Sequence, residues 1–221
     1  MLALILGESG TGKSFSTRNL NPEETYYISS TNKGLPFGGW RKKYNRDKSN
    51  YFTTKKADSV LKTMKHINDN QPEIKTIILD DFQYFLVHIF MSQPKGLKGN
   101  AVFQIYNDIG RVAWDILGFA DNTRDDLMVF VMAHTSVDDS GKTRLKTVGK
   151  LVDNMVTPEG ICNVVLGTKV QRSEKETKYY FETQNDGYST LKSPDGMFDS
   201  LYIPNDLQLV REAIHKYEYG E

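Results

Sequence analysis

The octet GESGTGKS, Gly7 to Ser14, fits G-x-x-x-x-G-K-[ST] without deviation and directly follows the apolar run LALIL, Leu2 to Leu6. By average residue usage, a chance match in a chain of 221 residues is about 1%. A continuous apolar run ending at glycine suits a strand buried on both faces of a parallel sheet. The glycines let backbone N–H groups turn toward phosphate oxygens, and the helix that follows adds its positive end. Gly7, Glu8, Ser9, Gly10, Thr11, Gly12, Lys13, Ser14 and Phe15 are therefore the expected nucleotide-binding residues. Lys13 is expected to reach the β and γ phosphates, and Ser14 to place its hydroxyl on Mg²⁺, which prefers oxygen ligands. A glycine-rich strand-to-helix turn without ligand is the plainer alternative.

Such a loop needs an acid at the end of a neighbouring strand, and TIILDD supplies it. Asp80 ends the apolar run and is expected to hold Mg²⁺ through water, completing a metal site with Ser14. Asp81 has two readings: a general base that polarises the attacking water, or a cap on the following helix. Lys13, Asp80 and Asp81 thus form the expected catalytic set. At the end of LMVFVMAHTS, His134 and Thr135 would face the γ phosphate, or else only bond the backbone at a strand end.

The remaining pattern predicts a short helix over Lys13–Leu20, a strand over Thr25–Ser30 and a helix over Ala57–Asn70. Next come a strand over Lys75–Leu79, a helical segment to about Met91 and a loop over Ser92–Asn100. A long helix over Ala101–Phe119, a strand over Leu127–Ala133 and a second loop over Thr135–Lys150 follow. Strands over Asn163–Val170 and Lys178–Thr183 precede a helix over Asn205–Tyr217. Strands alternating with helices imply βαβ units, a central, mostly parallel sheet flanked by helices, and an α/β fold with a strand-rich C-terminal third. The expected organisation is a single domain over 1–221: a nucleotide-binding core over 1–150 and a β-rich extension with its C-terminal helix over 151–221.

The 28 basic and 28 acidic side chains cancel, so no whole-protein field favours nucleic acid. The charge is unevenly spread, however. Between Lys33 and Lys56 stand eight cations against Asp47 alone. In that stretch GGWRKKYNRDKSNYF interleaves aromatics with cations, either a platform for single-stranded nucleic acid or a solvated face whose aromatics turn into the core. The single cysteine, Cys162, excludes an internal disulfide framework. With no signal-peptide pattern and no apolar run long enough to span a membrane, a cytoplasmic protein without membrane contact is expected.

No N-K-x-D guanine reader follows a late strand, which favours ATP. The C-terminal third lacks the helical lid of motor ATPases, and no helical pattern surrounds KTRLK as a small-molecule kinase lid would require. The whole resembles the RecA-like core of P-loop NTPases, on GESGTGKS, on TIILDD and on MVFVMAH followed by DDSGKTRLKTVGK. With YYFETQNDGYSTLKSPDGMF, it resembles the phage-encoded RecA-like ATPases of the Sak-type single-strand annealing group. The resemblance implies an ATPase using ATP and Mg²⁺ in DNA recombination or single-strand annealing, in the host cytoplasm. Single-stranded DNA would meet Ser92–Asn100 and Ser136–Lys150. It also implies a homo-oligomer, and a single-strand-binding protein or other recombination proteins as partners. Lys192 would reach a neighbouring subunit's γ phosphate, or simply face solvent. Two departures stand out. SSTNKG carries no acid where the family places its catalytic glutamate, leaving Asp81 or Glu8 to substitute. The P-loop strand begins at Leu2, so the N-terminal oligomerisation segment of the family is not expected. Readings outside the group are a nucleotide-dependent binding or packaging-accessory AAA-type ATPase with little turnover, and a small-molecule kinase.

Overall fold

The computed structural model describes residues 1–220; Glu221, the last residue of the expected span, lies outside them. The chain begins with β1 (Leu2–Leu6), a 3₁₀ helix (Ser14–Asn19), β2 (Thr25–Ser29), α1 (Trp40–Lys43), β3 (Tyr51–Thr53) and α2 (Ala57–Asn70). It continues with β4 (Thr76–Asp80), α3 (Phe82–Met91), α4 (Asn100–Asp121), β5 (Met128–Ala133), β6 (Thr135–Val137) and β7 (Thr143–Leu145). Last come α5 (Lys150–Met155), α6 (Pro158–Ile161), β8 (Val164–Arg172), β9 (Thr177–Glu182), β10 (Tyr202–Pro204) and α7 (Leu207–Tyr219).

Eight strands form one sheet in the order β10-β9-β8-β1-β5-β4-β2-β3, parallel throughout except at the β8–β9 and β9–β10 pairs. β5 separates the P-loop strand β1 from the acid strand β4 in this mostly parallel α/β sheet. Register aligns the strand ends. Leu6 pairs with Ala133 and Gly167, and Asp80 pairs with Ser29, so the P-loop, the two aspartates and the segment after β2 leave one edge of the sheet together.

Alternation along the buried strands divides the core into two layers. Leu2, Leu4, Leu6, Ile77, Leu79, Val129 and Val131 face a layer built mainly by α2, α3 and α4. Ala3, Ile5, Ile78, Phe130 and Leu166 face the other side, where α7 brings Leu207, Val210 and Ile214. Each wholly buried Leu or Ile contributes about 1.5–3 kcal/mol by leaving water, and the sheet that carries the site holds many of them. Among the described residues, no helix is long and apolar enough to cross a membrane.

Two local departures from expectation, and the choice between two open readings, have physical causes. The expected helix over Lys13–Leu20 is a 3₁₀ helix over Ser14–Asn19. The Ser16 hydroxyl donates to the Lys13 carbonyl at 2.5 Å and the Thr17 hydroxyl to the Ser14 carbonyl at 2.8 Å, in competition with the α-helical ladder. The expected loop over Thr135–Lys150 contains the hairpin β6–β7. Its turn is held by the Asp138 carboxylate, which accepts from the Ser140 and Lys142 backbone N–H groups at 2.9 Å, while Gly141 takes φ +80°. Finally, the aromatics of the basic stretch turn inward. Tyr44 is wholly buried, and Tyr51 stacks on the buried Tyr27 at 5.6 Å with Trp40 tilted against it. Arg41, Lys42, Arg46 and Lys48 remain exposed beside them.

Candidate functional site: the P-loop cleft

A cleft of about 370 Å³ lies over the P-loop, lined by Ser9, Gly10, Gly12, Lys13, Ser14 and Phe15. Lys33 and Pro36 from the segment after β2, His134 from the end of β5, and Tyr179 from β9 close its other sides. The loop is packed tightly enough that two glycines are obligatory. A Cβ on Gly7 would lie 1.8 Å from the Thr168 hydroxyl on β8. Gly12 takes φ +103°, and a Cβ there would meet Tyr179 Cδ1 at 2.9 Å. Thr168 also ties the loop down through Thr11, the two hydroxyl oxygens 2.5 Å apart.

Lys13 lies folded within its own loop, its Nζ donating to the Gly7 carbonyl at 2.7 Å and the Glu8 carbonyl at 2.8 Å. Burial pushes this ammonium down to about 8, against the opposing pull of Asp81 and Asp80. Phosphate oxygens at the loop would supply the missing negative charge and raise it again. Nucleotide binding is therefore expected to take up protons increasingly as pH rises from 7 to 9, because free Lys13 is by then losing its charge. Calorimetry in buffers of different ionisation enthalpy measures this, and an uptake that stays flat across the range would mean that Lys13 does not meet the phosphates.

Asp80 is wholly buried at the end of β4. It accepts from the Ser14 hydroxyl at 3.0–3.1 Å and from the Tyr27 hydroxyl on β2 at 2.7 Å. Burial and then the neighbouring Asp81 push its carboxyl above the ordinary range, while the charge of Lys33 and the two hydroxyl donors pull it back. A divalent cation beside it would relieve that burden. Among the described residues, no group of three or more His, Cys, Asp or Glu is placed to hold a metal. The hard oxygen pair of Ser14 and Asp80 instead fits Mg²⁺, which keeps several waters and takes its other ligands from phosphate.

Asp81 is 1% exposed and takes the left-handed conformation at φ 60°, ψ 50°. For a residue other than glycine, that conformation costs about 1–2 kcal/mol. The helix-cap reading is corrected here: Asp81 occupies the N-cap position of α3, yet its side chain caps no backbone N–H. Its Oδ2 pairs with Lys33 Nζ, and its Oδ1 lies 3.4 Å from His134 Nε2 without a hydrogen-bond partner. Asp81 is thus a strained, buried carboxylate whose Oδ1 has no hydrogen-bond donor and faces His134, a residue of the cleft wall. His134 is held through its backbone N–H, which donates to the Gln83 side chain at 3.1 Å. Burial, then the charge of Lys13, holds its imidazole below the ordinary value.

Other expected placements come apart. Thr135 enters β6 and turns into a neighbouring cleft with Glu8, away from His134, so only His134 of that pair lines the nucleotide cleft. Glu8 is exposed there, on the far side of the loop from Asp81. Lys192 pairs its backbone with Val165 in β8 and is half-buried rather than solvent-facing. Tyr27, Lys33, Gln83, Thr168 and Tyr179 were not legible as site residues. Gln83 did carry a weak signal, as a polar residue in the first turn of the largely apolar α3. Phe15 lies 5.6 Å from Tyr179, ring centroid to ring centroid, with the Arg18 guanidinium over the Phe15 ring at 4.3 Å, an aromatic corner suited to a nucleotide base.

No protein-family model matches the chain, and no curated protein matches it in sequence. Among solved structures it is similar to the flagellar accessory protein FlaH from Methanocaldococcus jannaschii, at 15% identity over 82% of this chain and 76% of that one, with a TM-score of 0.44. It is also similar to a KaiC-like protein from Pyrococcus horikoshii, at 11% identity over 82% of this chain and 77% of that one, with a TM-score of 0.48. These likenesses concern the fold alone.

Proposed function

We propose that this chain binds ATP with Mg²⁺ at the P-loop cleft and hydrolyses it. One observation carries this reading: Lys13 and Ser14 line a cleft of nucleotide size, and behind them at the same sheet edge lie Asp80, bonded to Ser14, and Asp81 with its unpartnered Oδ1. The P-loop N–H groups and Lys13 would hold the β and γ phosphates, with Ser14 and Asp80 presenting oxygens to Mg²⁺. When bound, that ion would neutralise charge on the phosphates. Asp81 would orient the attacking water and take its proton. Phe15 and Tyr179 would flank the base. Such catalysis is mostly positioning and charge stabilisation.

Single-stranded DNA is the effector we propose, in recombination or annealing as in the phage-encoded group the sequence resembles. The support is a lysine-bearing surface. The start of α2, with Lys55 and Lys56, adjoins the end of α3 at Ser92 and Gln93. The end of α3 also meets the β6–β7 hairpin across a groove of about 600 Å³. Lys55, Lys56, Lys95 and Lys98 are exposed, and among the described residues none of them pairs with a carboxylate, nor do Lys142 and Lys146. Arg144 on the hairpin and Lys150 at the start of α5 are instead engaged by Asp138 at 3.0 Å and Asp139 at 2.6 Å. ATP hydrolysis with and without single-stranded DNA tests the reading, and turnover is expected to rise with DNA. If those six lysines meet phosphates, DNA affinity should fall by about two to three orders of magnitude between 50 and 200 mM salt. Turnover and retention both indifferent to DNA would overturn the DNA reading and leave the ATPase standing.

One observation favours a second reading, a nucleotide-dependent binding protein with little turnover of its own. Lys33 occupies Asp81, so the candidate base is neutralised in the free protein.

A further inference from the structure

We propose that Lys33 is a γ-phosphate switch: it serves as the counter-ion of Asp81 until a nucleoside triphosphate binds, and then moves onto the γ phosphate and releases Asp81. The inference rests on the P-loop cleft being a nucleotide site.

Lys33 follows β2, opposite the P-loop, and lines the same cleft as Lys13, Ser14 and His134. Its side chain is 49% exposed although its ammonium sits on a carboxylate that is 1% exposed. The cation therefore stoppers a buried acid from the open side, with most of its stem in the cleft. A four-carbon stem rooted at a sheet edge can carry the ammonium between neighbouring anions without moving the strand behind it. Lys13 is in a comparable state, held by the Gly7 and Glu8 carbonyls that phosphate oxygens would outcompete. Both cations of the cleft thus rest on protein oxygens that a triphosphate would replace.

The direction of the exchange follows from charge. A terminal phosphate brings close to two negative charges and three acceptor oxygens, against the single charge of Asp81. A diphosphate lacks that group and leaves Lys33 where it is. Asp81 stays fixed while Lys33 leaves, because its backbone is held between β4 and α3, and the Ser30 hydroxyl donates to its carbonyl at 3.2 Å. Its carboxylate would then be free to accept a proton from water only when there is a γ phosphate to attack. The segment in which a catalytic acid was expected thus supplies the cation that restrains the acid on the next strand.

The test is affinity rather than turnover: binding of ADP and of the non-hydrolysable β,γ-imido analogue of ATP, each with Mg²⁺, to the wild type, Lys33→Met and Lys33→Arg. Loss of one charge-assisted contact predicts that Lys33→Met weakens the analogue about tenfold and changes ADP less than about twofold. Lys33→Arg, which keeps the charge, should recover most of the loss. If Lys33→Met unfolds because Asp81 is left without a counter-ion, the pair Lys33→Met with Asp81→Asn removes both charges, and its ADP-to-analogue ratio is compared with that of Asp81→Asn alone. Equal weakening of both nucleotides, or of neither, would overturn the switch while leaving the nucleotide site intact. A wild-type protein that binds neither nucleotide would overturn the nucleotide site and the switch together.

Discussion

Lys13→Ala is expected to lower ATP turnover by about two to three orders of magnitude, the scale for removing a preorganised charge from a phosphate-handling site. Lys13 is 6% exposed and donates only to two carbonyls of its own loop, and the cost of burying its charge outweighs the attraction of Asp81 and Asp80. Its removal even relieves the burial of a cation that is pushed down to about 8. The variant should therefore melt close to the wild type while failing to hydrolyse, and turnover measured beside thermal unfolding separates the two effects. Full activity in Lys13→Ala would refute hydrolysis at this loop.

Asp81→Asn should lower turnover by about two to four orders of magnitude, the range for loss of a general base, with ADP affinity retained. The substitution is nearly isosteric, and asparagine tolerates the left-handed backbone at φ 60° as readily as aspartate, so the strand-to-helix corner should survive. Single-turnover hydrolysis and ADP binding read the two halves of this prediction. The amide is also a weaker partner for Lys33 than the carboxylate was, so the ATP analogue should bind more tightly even as hydrolysis fails. Turnover close to that of the wild type would place water activation elsewhere and remove Asp81 from the catalytic set.

The parts of this molecule that were legible beforehand are those whose cause is local. β1 and its glycine-rich turn could be read because an unbroken apolar run and a spaced G-K-S motif each have few structural alternatives. The helix Ala57–Asn70 was legible to the residue, since Val60, Leu61, Met64 and Ile67 repeat at helical spacing and Pro72 closes it. Asp80 was legible because an acid ending a buried strand has little other reason to be there. The β6–β7 hairpin was not, because Thr135–Lys150 contains as many glycines and charges as a loop, and its strands gain order only from pairing and the Asp138 turn. The basic stretch stayed open between platform and core, since composition cannot say which way Tyr44 and Tyr51 point. Packing against Tyr27 decided it.

By itself, then, the sequence determined that a glycine-rich turn of phosphate-binding pattern would follow a buried strand of an α/β sheet. It also determined that an aspartate would end a second buried strand, which the fold sets beyond β5 rather than directly beside β1. Those outcomes depend on neighbours along the chain, where hydrophobic period and backbone freedom act directly. Only the tertiary structure decided what surrounds the aspartates. The Tyr27 hydroxyl reaches Asp80 across 53 positions of chain, and Lys33 reaches Asp81 across 48. Parallel strands carry such distant residues to a common edge, where a charge finds its partner by distance in space and no local pattern records the meeting.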